Sequence, residues 1–424
     1  MMADRQTMAS REKRILVDGK NIALPQGTGV ATYARSLCRN LAMLDADVQL
    51  LYGHRSPAAL AWHQKRPAFL RYAERLGKLA FAIVPTDIGT ETPLQTSDLR
   101  QVDGVSRYWR APYVFDRPSF SFTWHRFQAI RNVMNADAAH WTYPVPTRLN
   151  GAANIYTLHD LVPLKLPETT LDNKRAYHAM IRKITQTADL IVTVSEQSKA
   201  DIHDLFDVPD ERVVNTYQDV DIPAELLAET MDQVAGMIAA DFQLEAGRFL
   251  LFYGAIEPKK NVGRLIEAHL SSGLDMPLVI VGKDGWLMEN ELRAYNQHLA
   301  APGGSLRVIR LPYVTRAQLV RLTRAALAVT FPSIYEGFGL PLVEAMLFGT
   351  PLLTSNIGAM REIAGDAALL VDPYDVASIA KGLCRIAGEA SLRDELVDAG
   401  RIRAETFSST AYRARLRDAY ARIG

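Results

Sequence analysis

Short buried strands alternate with amphipathic helices along most of this 424-residue chain, and this alternation constrains the fold more than any other feature. One series runs from the apolar segment at 14–17 to the segment at 190–194, and a second series begins at 249–253. Strands that alternate with helices form parallel sheets with helices on both faces. The pattern therefore predicts an α/β protein with two doubly wound, Rossmann-like domains. The predicted boundaries are 14–218 for the amino-terminal domain, 219–243 for the linker and 244–405 for the carboxy-terminal domain.

Charge and cysteine content narrow the class of protein. The net charge of +1 argues against nucleic acid as the main partner, because phosphate backbones select strongly basic surfaces. Cys38 and Cys384 lie far apart without metal-ligand spacing, which is typical of a reducing compartment. The segment Met1–Arg14 lacks the apolar core of a signal peptide, and no apolar run reaches the ~18 residues of a membrane span. We expect a cytoplasmic protein that is soluble or peripheral on the inner face of the plasma membrane.

The stretch Ser333–Glu344 carries the strongest functional signal. It follows an apolar strand, holds two glycines and opens a helix with a proline near its start. The first turn of a helix leaves unpaired N–H groups that bind phosphate, and Gly337 and Gly339 let a ligand approach the backbone. Glu336 and Glu344 add carboxylates, which accept hydrogen bonds from hydroxyls. The pattern indicates a ligand with phosphates and sugars; the alternative is a helix whose acidic residues only suit its dipole.

Three further segments follow strands, at the edge where α/β sheets bind ligands. Lys259 and Lys260 form either a solvated pair or a diphosphate clamp. His159 is either a ligand-facing histidine or a structural one. Gly27-Thr-Gly29 suggests a dinucleotide fingerprint, but threonine takes the place of the third glycine. We prefer a glycine loop that faces a ligand cleft, with a plain helix start as the alternative.

Together these segments resemble the retaining glycosyltransferases of the GT-B fold, in particular family 4. Glu336-Gly-Phe-Gly-Leu-Pro-x-x-Glu344 resembles the E-x7-E motif, and Tyr253-Gly-Ala-Ile-Glu-Pro-Lys-Lys-Asn261 resembles the donor-diphosphate loop of that family. The similarity continues in family order over nearly the whole chain, at 27–30, 157–160, 194–199, 365–373 and the tail helix 409–424. The resemblance implies two Rossmann-like domains that face each other across a cleft, with the tail helix packing back on the first domain.

The resemblance also implies a role for each matched residue. Glu344 is expected to bind the nucleotide ribose, and Glu336 the hydroxyls of the transferred sugar. Lys260, with Lys259, is expected to hold the diphosphate, and His159 to face the reactive side of the sugar. We take His159, Lys260 and Glu336 as catalytic. The remaining expected donor contacts are Gly29, the segment Gly337, Phe338, Gly339 and Leu340, and, around the base, Lys283, Tyr313 and Val314.

One position departs from the family pattern. Many members carry an arginine where this chain has Ala255, so the second half of the usual cationic clamp is lacking at that position, and we expect Lys259 to replace it only in part. Breaking the sugar–phosphate bond builds negative charge on the leaving diphosphate, which Lys260 and the helix N-terminus are expected to stabilise without a metal or other cofactor. No carboxylate is an obvious covalent nucleophile. We therefore expect the acceptor hydroxyl to attack on the face from which the phosphate departs.

The Ile-Glu-Pro-Lys-Lys-Asn loop and the Leu-His-Asp strand end look most like bacterial mannosyltransferases of lipopolysaccharide or exopolysaccharide assembly. This favours GDP-mannose or another GDP-sugar, with UDP-sugars open, and a glycan or lipid-linked acceptor. The basic residues of the predicted helix Leu171–Asp189 indicate either contact with an anionic membrane or a solvated face. The rival functions are an epimerase or phosphorylase on the same fold, and a non-catalytic protein that binds nucleotide or glycan.

Four local expectations concern less regular segments. Residues 87–122 lack periodicity and predict a long loop, whereas Trp124–Met134 has the spacing of a helix. Residues 207–243 show no strand pattern and are assigned to the domain boundary. Asp219-Val-Asp221 matches a D-x-D metal pattern, which we reject because a three-residue match in a predicted linker carries little information.

Overall fold

The structure is a computed structural model that describes residues 12–23, 29–53, 82–88, 100–111, 114–115, 126–220, 222–300 and 307–423. Its strands are β1 Arg14–Asp18, β2 Asp47–Tyr52, β3 Thr86–Asp87, β4 Arg107–Arg110, β5 Gln128–Ile130, β6 Ala138–Trp141, β7 Thr147–Leu149, β8 Ala153–Thr157, β9 Leu190–Thr193, β10 Val213–Asn215, β11 Leu250–Tyr253, β12 Leu278–Val281, β13 Val308–Leu311, β14 Ala328–Phe331, β15 Leu352–Ser355 and β16 Leu369–Val371.

Fourteen of the sixteen described strands form two large sheets, and β5 and β7 form a separate pair. The amino-terminal sheet has the order β10-β9-β8-β6-β1-β2-β4-β3, and the carboxy-terminal sheet has the order β13-β12-β11-β14-β15-β16. Neighbouring strands are parallel, apart from β3, which pairs antiparallel with β4. Each order reverses beside its first strand, at β1/β6 and at β11/β14, which is the doubly wound arrangement. The predicted fold class is confirmed.

Helices connect the strands and cover the sheets. Those of at least seven residues are Gly29–Ala42, Lys174–Thr187, Glu196–Leu205, Met231–Phe242, Val262–Ser271, Arg293–Ala300, Arg316–Ala325, Leu340–Phe348, Gly358–Ala364, Val376–Gly388, Ala390–Ala404 and Ser409–Ala421. Shorter helices span Val162–Lys165, Ala224–Ala228 and Met288–Glu291. A capping box begins the helix Arg316–Ala325: the Thr315 side chain accepts from the backbone N–H of Gln318, and the Gln318 side chain accepts from that of Thr315. None of the helices in the described ranges is long and apolar enough to cross a membrane.

The strands of both sheets are apolar because helices cover the sheets on both faces. Every residue of β9, β11, β12, β14 and β15 is buried. The continuous apolar runs that marked these strands in the sequence therefore form the interior of the two sheets. Their carboxyl ends carry the loops that build the site.

Three of the local expectations are wrong. The described part of 124–134 contains strand β5, which pairs with β7 rather than forming a helix. The described part of 87–122 holds β4, a member of the large sheet, and 207–243 holds β10 at the edge of that sheet. The segments of β4, β5 and β10, Arg-Tyr-Trp-Arg, Gln-Ala-Ile and Val-Val-Asn, lack a continuous apolar run of four residues, and pairing with distant segments stabilises them.

Asp219, the first residue of the D-x-D match, binds protein groups. Its buried carboxylate accepts from Asn40 Nδ2 at 2.9 Å and Ser409 Oγ at 2.8 Å, and also from Ser36 Oγ. These partners belong to the helix Gly29–Ala42 and to the tail helix Ser409–Ala421, which pack together. Asp221 lies outside the described residues.

Candidate active site between the two domains

Two loops meet where the order of the carboxy-terminal sheet reverses. Residues 254–261 follow β11 and residues 332–339 follow β14. The Ile334 N–H donates to the Lys259 carbonyl at 2.8 Å, and Asn261 Nδ2 donates to the carbonyls of Pro332 at 2.9 Å and Pro373 at 2.7 Å. Ligands of doubly wound sheets bind at this switch point, outside the carboxyl ends of the strands. The hydrogen bonds hold the two loops together there.

The expected lysines and the first glutamate form one ionic cluster. Lys260 Nζ pairs with Glu336 Oε1, and Lys259 Nζ lies 3.7 Å from Glu336 Oε2 and 3.5 Å from Asp160 Oδ2. The Lys259, Lys260 and Glu336 side chains are 13%, 15% and 9% exposed. Burial acts to lower the pKa of Lys259, but Glu336, Asp160 and Glu257 together raise it above its usual value. Lys259 is therefore cationic at neutral pH.

The second glutamate has a different environment. Glu344 Oε2 accepts from the Tyr253 hydroxyl at 2.7 Å, and Glu344 Oε1 pairs with Arg316 Nη2 at 2.6 Å. Burial, and then Glu344, raise the pKa of Tyr253 well above its usual value, so its hydroxyl stays a donor. Tyr253 ends β11 and Arg316 begins a helix after β13, so the two partners approach Glu344 from different strands.

Glycines bring the loop after β14 close to other backbone. Gly339 has a φ of 91° at the start of the helix Leu340–Phe348, a conformation that glycine adopts without strain. A Cβ on Gly337 would lie 2.1 Å from the His159 carbonyl oxygen of the other domain, so any side chain there would clash. A Cβ on Gly29 would lie 3.6 Å from Leu340 Cδ1. The amino-terminal domain therefore meets this loop directly, whereas Gly27 lies outside the described residues.

His159 lies at the end of β8, in contact with its own domain. Its Nε2 donates to the Thr142 carbonyl at 2.9 Å, and its ring meets Tyr33 edge-on with centroids 4.7 Å apart. Burial lowers the pKa of His159 below its usual value. The ring is therefore neutral at pH 7, and the Nε2 hydrogen bond leaves Nδ1 as an acceptor.

The residues expected to contact the nucleotide base lie in the loops after two other strands of the carboxy-terminal sheet. Lys283 follows β12, and Tyr313 and Val314 follow β13. Lys283 is exposed, Tyr313 is 77% exposed and Val314 is partly buried. Within the described ranges, no hydrogen bond or ion pair joins their side chains to the buried carboxylates. Their donor contacts stay predictions.

Sequence reasoning missed four residues of this site: Arg316, Tyr253, Asp160 and Tyr335. Tyr253 and Asp160 belong to segments that resemble the family, but the resemblance gives them no role. For Arg316 the available signal is the spacing Thr315-x-x-Gln318, which is typical of a helix start. The hydroxyl of Tyr335 donates across the interface to Asp201 Oδ2 at 2.5 Å. Such a contact has no local sequence signal.

Family models match both halves of the chain. Residues 239–403 match the model for glycosyl transferases group 1, and residues 27–221 match the model for glycosyltransferase family 4. O-antigen chain mannosyltransferase B of Escherichia coli is 31% identical over 275 residues, which cover 62% of this chain and 68% of that protein. Serotype-specific mannosyltransferase WbdA of Escherichia coli is 26% identical over 257 residues, covering 56% of this chain and 29% of WbdA.

A solved structure shows the same architecture. Sucrose-phosphate synthase from Thermosynechococcus elongatus superposes with a TM-score of 0.68 at 17% identity, covering 97% of this chain and 99% of that one. At this identity the likeness bears on the fold alone. The two family models, the Escherichia coli relative and the shared fold establish that the chain belongs to the glycosyltransferases of family 4 and group 1, with the GT-B fold.

Proposed function

We propose that this glycosyltransferase moves mannose from GDP-mannose to a hydroxyl of a glycan or lipid-linked oligosaccharide in the assembly of a bacterial surface polysaccharide. The observation that carries the proposal is the cluster of Lys259, Lys260 and Glu336 at the switch point, in the same domain as Glu344. Lysines suit a diphosphate, and carboxylates suit the hydroxyls of a sugar and a ribose. Both Escherichia coli relatives are named mannosyltransferases, which supports mannose as the transferred sugar.

The ion pairs suggest how a donor enters the cluster. A diphosphate competes with Glu336 for Lys260, because both are anions that need the same cation. Once Lys260 turns to the diphosphate, the Glu336 carboxylate becomes available to the sugar hydroxyls. The N–H groups at the start of the helix Leu340–Phe348 add partial positive charge on the same side.

The same charges lower the barrier to transfer. Negative charge grows on the diphosphate as the sugar–phosphate bond breaks, and preorganised cations stabilise it. Two lysines supply that charge, so we propose that the reaction needs no metal. Glu336 and Asp160 are engaged with lysines, an arrangement that disfavours a covalent nucleophile. We therefore propose same-face attack by the acceptor hydroxyl, with retention of the anomeric configuration and proton transfer to the departing phosphate.

The amino-terminal domain supplies the opposite wall. Neutral His159 offers Nδ1 as an acceptor for a hydroxyl of the transferred sugar, and Gly29 leaves room beside Leu340 for the diphosphate. The helix Lys174–Thr187 exposes Arg175 and Arg182. These cations support peripheral contact with an anionic membrane that carries the acceptor.

A donor panel tests the proposal. Purified protein is given GDP-mannose, other GDP-sugars and UDP-sugars, each with and without a mannose-terminated lipid-linked acceptor, and nucleotide release is measured. We expect GDP release from GDP-mannose that depends on the acceptor, persists with EDTA and yields an α-linked product by NMR. Release of an isomerised sugar without acceptor would instead indicate an epimerase. A requirement for inorganic phosphate would indicate a phosphorylase, and donor binding without turnover a binding protein.

A further inference from the structure

Tyr335, the residue before Glu336, reaches across the domain interface. Its hydroxyl donates to Asp201 Oδ2 at 2.5 Å and lies 3.4 Å from the Leu161 N–H, which donates to it. Asp201 belongs to the helix Glu196–Leu205 of the amino-terminal domain, and its side chain is 0% exposed. The buried Asp201 carboxylate of the amino-terminal domain therefore holds Tyr335 of the carboxy-terminal domain, which is the neighbour of Glu336.

The other oxygen of Asp201 has partners of its own. Lys165 Nζ lies 2.7 Å from Oδ1, and Gln197 Nε2 donates to Oδ1 at 3.1 Å. These contacts orient the carboxylate and leave Oδ2 to Tyr335. Burial, followed by the charges of Asp160 and Asp201, raises the pKa of Tyr335 far above its usual value. The hydroxyl thus remains a donor at any working pH.

The same helix makes further contacts with the carboxy-terminal domain. Ser198 Oγ lies 3.4 Å from the Gly337 carbonyl, while its shorter hydrogen bond, at 2.8 Å, goes to the His159 carbonyl of its own domain. The Glu362 carboxylate accepts from the N–H groups of Glu196 at 2.8 Å and Gln197 at 2.9 Å. The first half of the helix is therefore a surface that contacts both the loop after β14 and the helix Gly358–Ala364.

We propose that Asp201 is a positioning residue, which acts through Tyr335 to hold Glu336 in place and so completes the donor site only when the two domains meet. The proposal rests on the proposed function in one respect, the role of Glu336 toward the donor sugar. A displacement of about 1 Å in such a residue costs roughly 100-fold in rate, so a distant hydrogen bond can control turnover.

Tyr335→Phe tests the hydrogen bond between Tyr335 and Asp201, since it removes one hydroxyl and keeps the ring. We expect kcat with GDP-mannose to fall roughly 10- to 100-fold, while the Kd for GDP stays as in the wild type. The Tm should fall, because the buried Asp201 carboxylate loses a donor, but should stay above the assay temperature. Asp201→Asn should lower kcat in the same way. Lys165 keeps the side-chain oxygen as its partner, so the amide nitrogen faces Tyr335 and cannot accept from its hydroxyl. The double variant should be no slower than the slower single variant, since both remove the same interaction.

Asp204→Asn is the matched control. Asp204 lies on the same helix, 3.4 Å from Lys165 Nζ, and is 65% exposed. Its substitution should leave kcat unchanged. Wild-type kcat in Tyr335→Phe, an equal loss in Asp204→Asn, or a loss of kcat no larger than the unfolded fraction at the assay temperature explains would overturn the positioning role.

Hydrogen–deuterium exchange gives a readout that needs no donor. Amides of residues 333–340 should exchange faster in Tyr335→Phe than in the wild type or in Asp204→Asn. Should wild-type protein fail to turn over GDP-mannose, the proposed donor is wrong, and the exchange rates alone decide. Unchanged exchange in Tyr335→Phe would then overturn the inference.

Discussion

At the scale of single residues, the two glutamates of the 336–344 stretch differ in their partners. Glu336 faces the Lys259 and Lys260 ammonium groups, whereas Glu344 is held by a phenol and a guanidinium. We propose that a donor diphosphate displaces Glu336 from its lysine, whereas Glu344 has its orientation set by partners from two strands. The pair therefore resembles two separate contacts to one extended ligand more than a coupled acid and base. These roles stay predictions until a donor is bound.

Lys260→Ala should lower turnover at least tenfold. The substitution removes a cation aimed at the leaving diphosphate, and loss of one such group typically costs about 100- to 1000-fold in rate. It also leaves Glu336 buried beside one lysine instead of two. Steady-state kinetics with saturating donor measure the effect on kcat.

Two further lysine substitutions serve as comparisons for the kcat of Lys260→Ala. Lys259→Ala should cost less than Lys260→Ala if Lys259 only partly replaces the arginine absent at position 255. Lys381→Ala, an exposed lysine on the helix Val376–Gly388, should leave kcat unchanged. Near-normal transfer by Lys260→Ala would refute the clamp assignment.

At the scale of secondary-structure elements, Asp219 links three segments. It joins the linker to the helix Gly29–Ala42 through Asn40 and to the tail helix through Ser409. The tail helix also reaches the amino-terminal sheet, where Tyr420 hydroxyl lies 2.6 Å from His140 Nδ1. Both chain crossings between the two halves are thereby fastened to the amino-terminal domain.

Asp219→Ala should lower the free energy of unfolding by about 2–4 kcal/mol. The substitution leaves buried donors of Ser36 and Asn40 without their acceptor, and each such group costs about 1–3 kcal/mol. Urea denaturation followed by circular dichroism measures the change.

The exposed carboxylate of Asp418, on the tail helix, supplies the control for Asp219. Asp418→Ala should keep the wild-type midpoint. An unchanged midpoint in Asp219→Ala would show that the linkage adds no stability. A wild-type midpoint that drops with EDTA would instead revive a metal role for the D-x-D pattern.

At the scale of the whole molecule, buried histidines make stability depend on pH. Burial, with a smaller effect of His159, lowers the pKa of His140 to about 3. Burial, followed by Arg307, lowers the pKa of His269 to about 4. Both are neutral in the folded protein near pH 5, where unfolded histidine, with a pKa of about 6.5, binds a proton. The unfolded state then holds more protons, so stability falls as pH drops below about 6.5.

The protein should therefore be less stable at about pH 5 than at about pH 7.5, by up to about 1.4 kcal/mol per pH unit below 6.5 for each histidine. Urea midpoints at the two pH values measure the difference. In His269→Gln the new amide can still donate to the Arg307 carbonyl. The difference in free energy of unfolding between the two pH values should then be smaller by the contribution of one histidine. Equal stability of the wild type at both pH values would contradict this account.

Local sequence patterns predict those strands whose limits the patterns themselves mark. The apolar segments 14–17, 190–194 and 249–253 agree within one residue with the strands Arg14–Asp18, Leu190–Thr193 and Leu250–Tyr253, because a buried apolar run marks the limits of a strand. The strands β4, β5 and β10 have no such run and depend on pairing partners elsewhere in the fold. Sequence patterns thus predict the strands with continuous apolar runs and miss the others.

The sequence by itself determined the strand–helix alternation, the fold class and the loops that carry Lys260 and Glu336, because these follow from local periodicity and motif spacing. Tertiary structure alone decided which side chains meet. Asp160 reaches Lys259, and Tyr335 reaches Asp201 over 134 residues of chain. Partners so far apart in sequence are brought together only when both domains are folded and in contact, and no local pattern records that event.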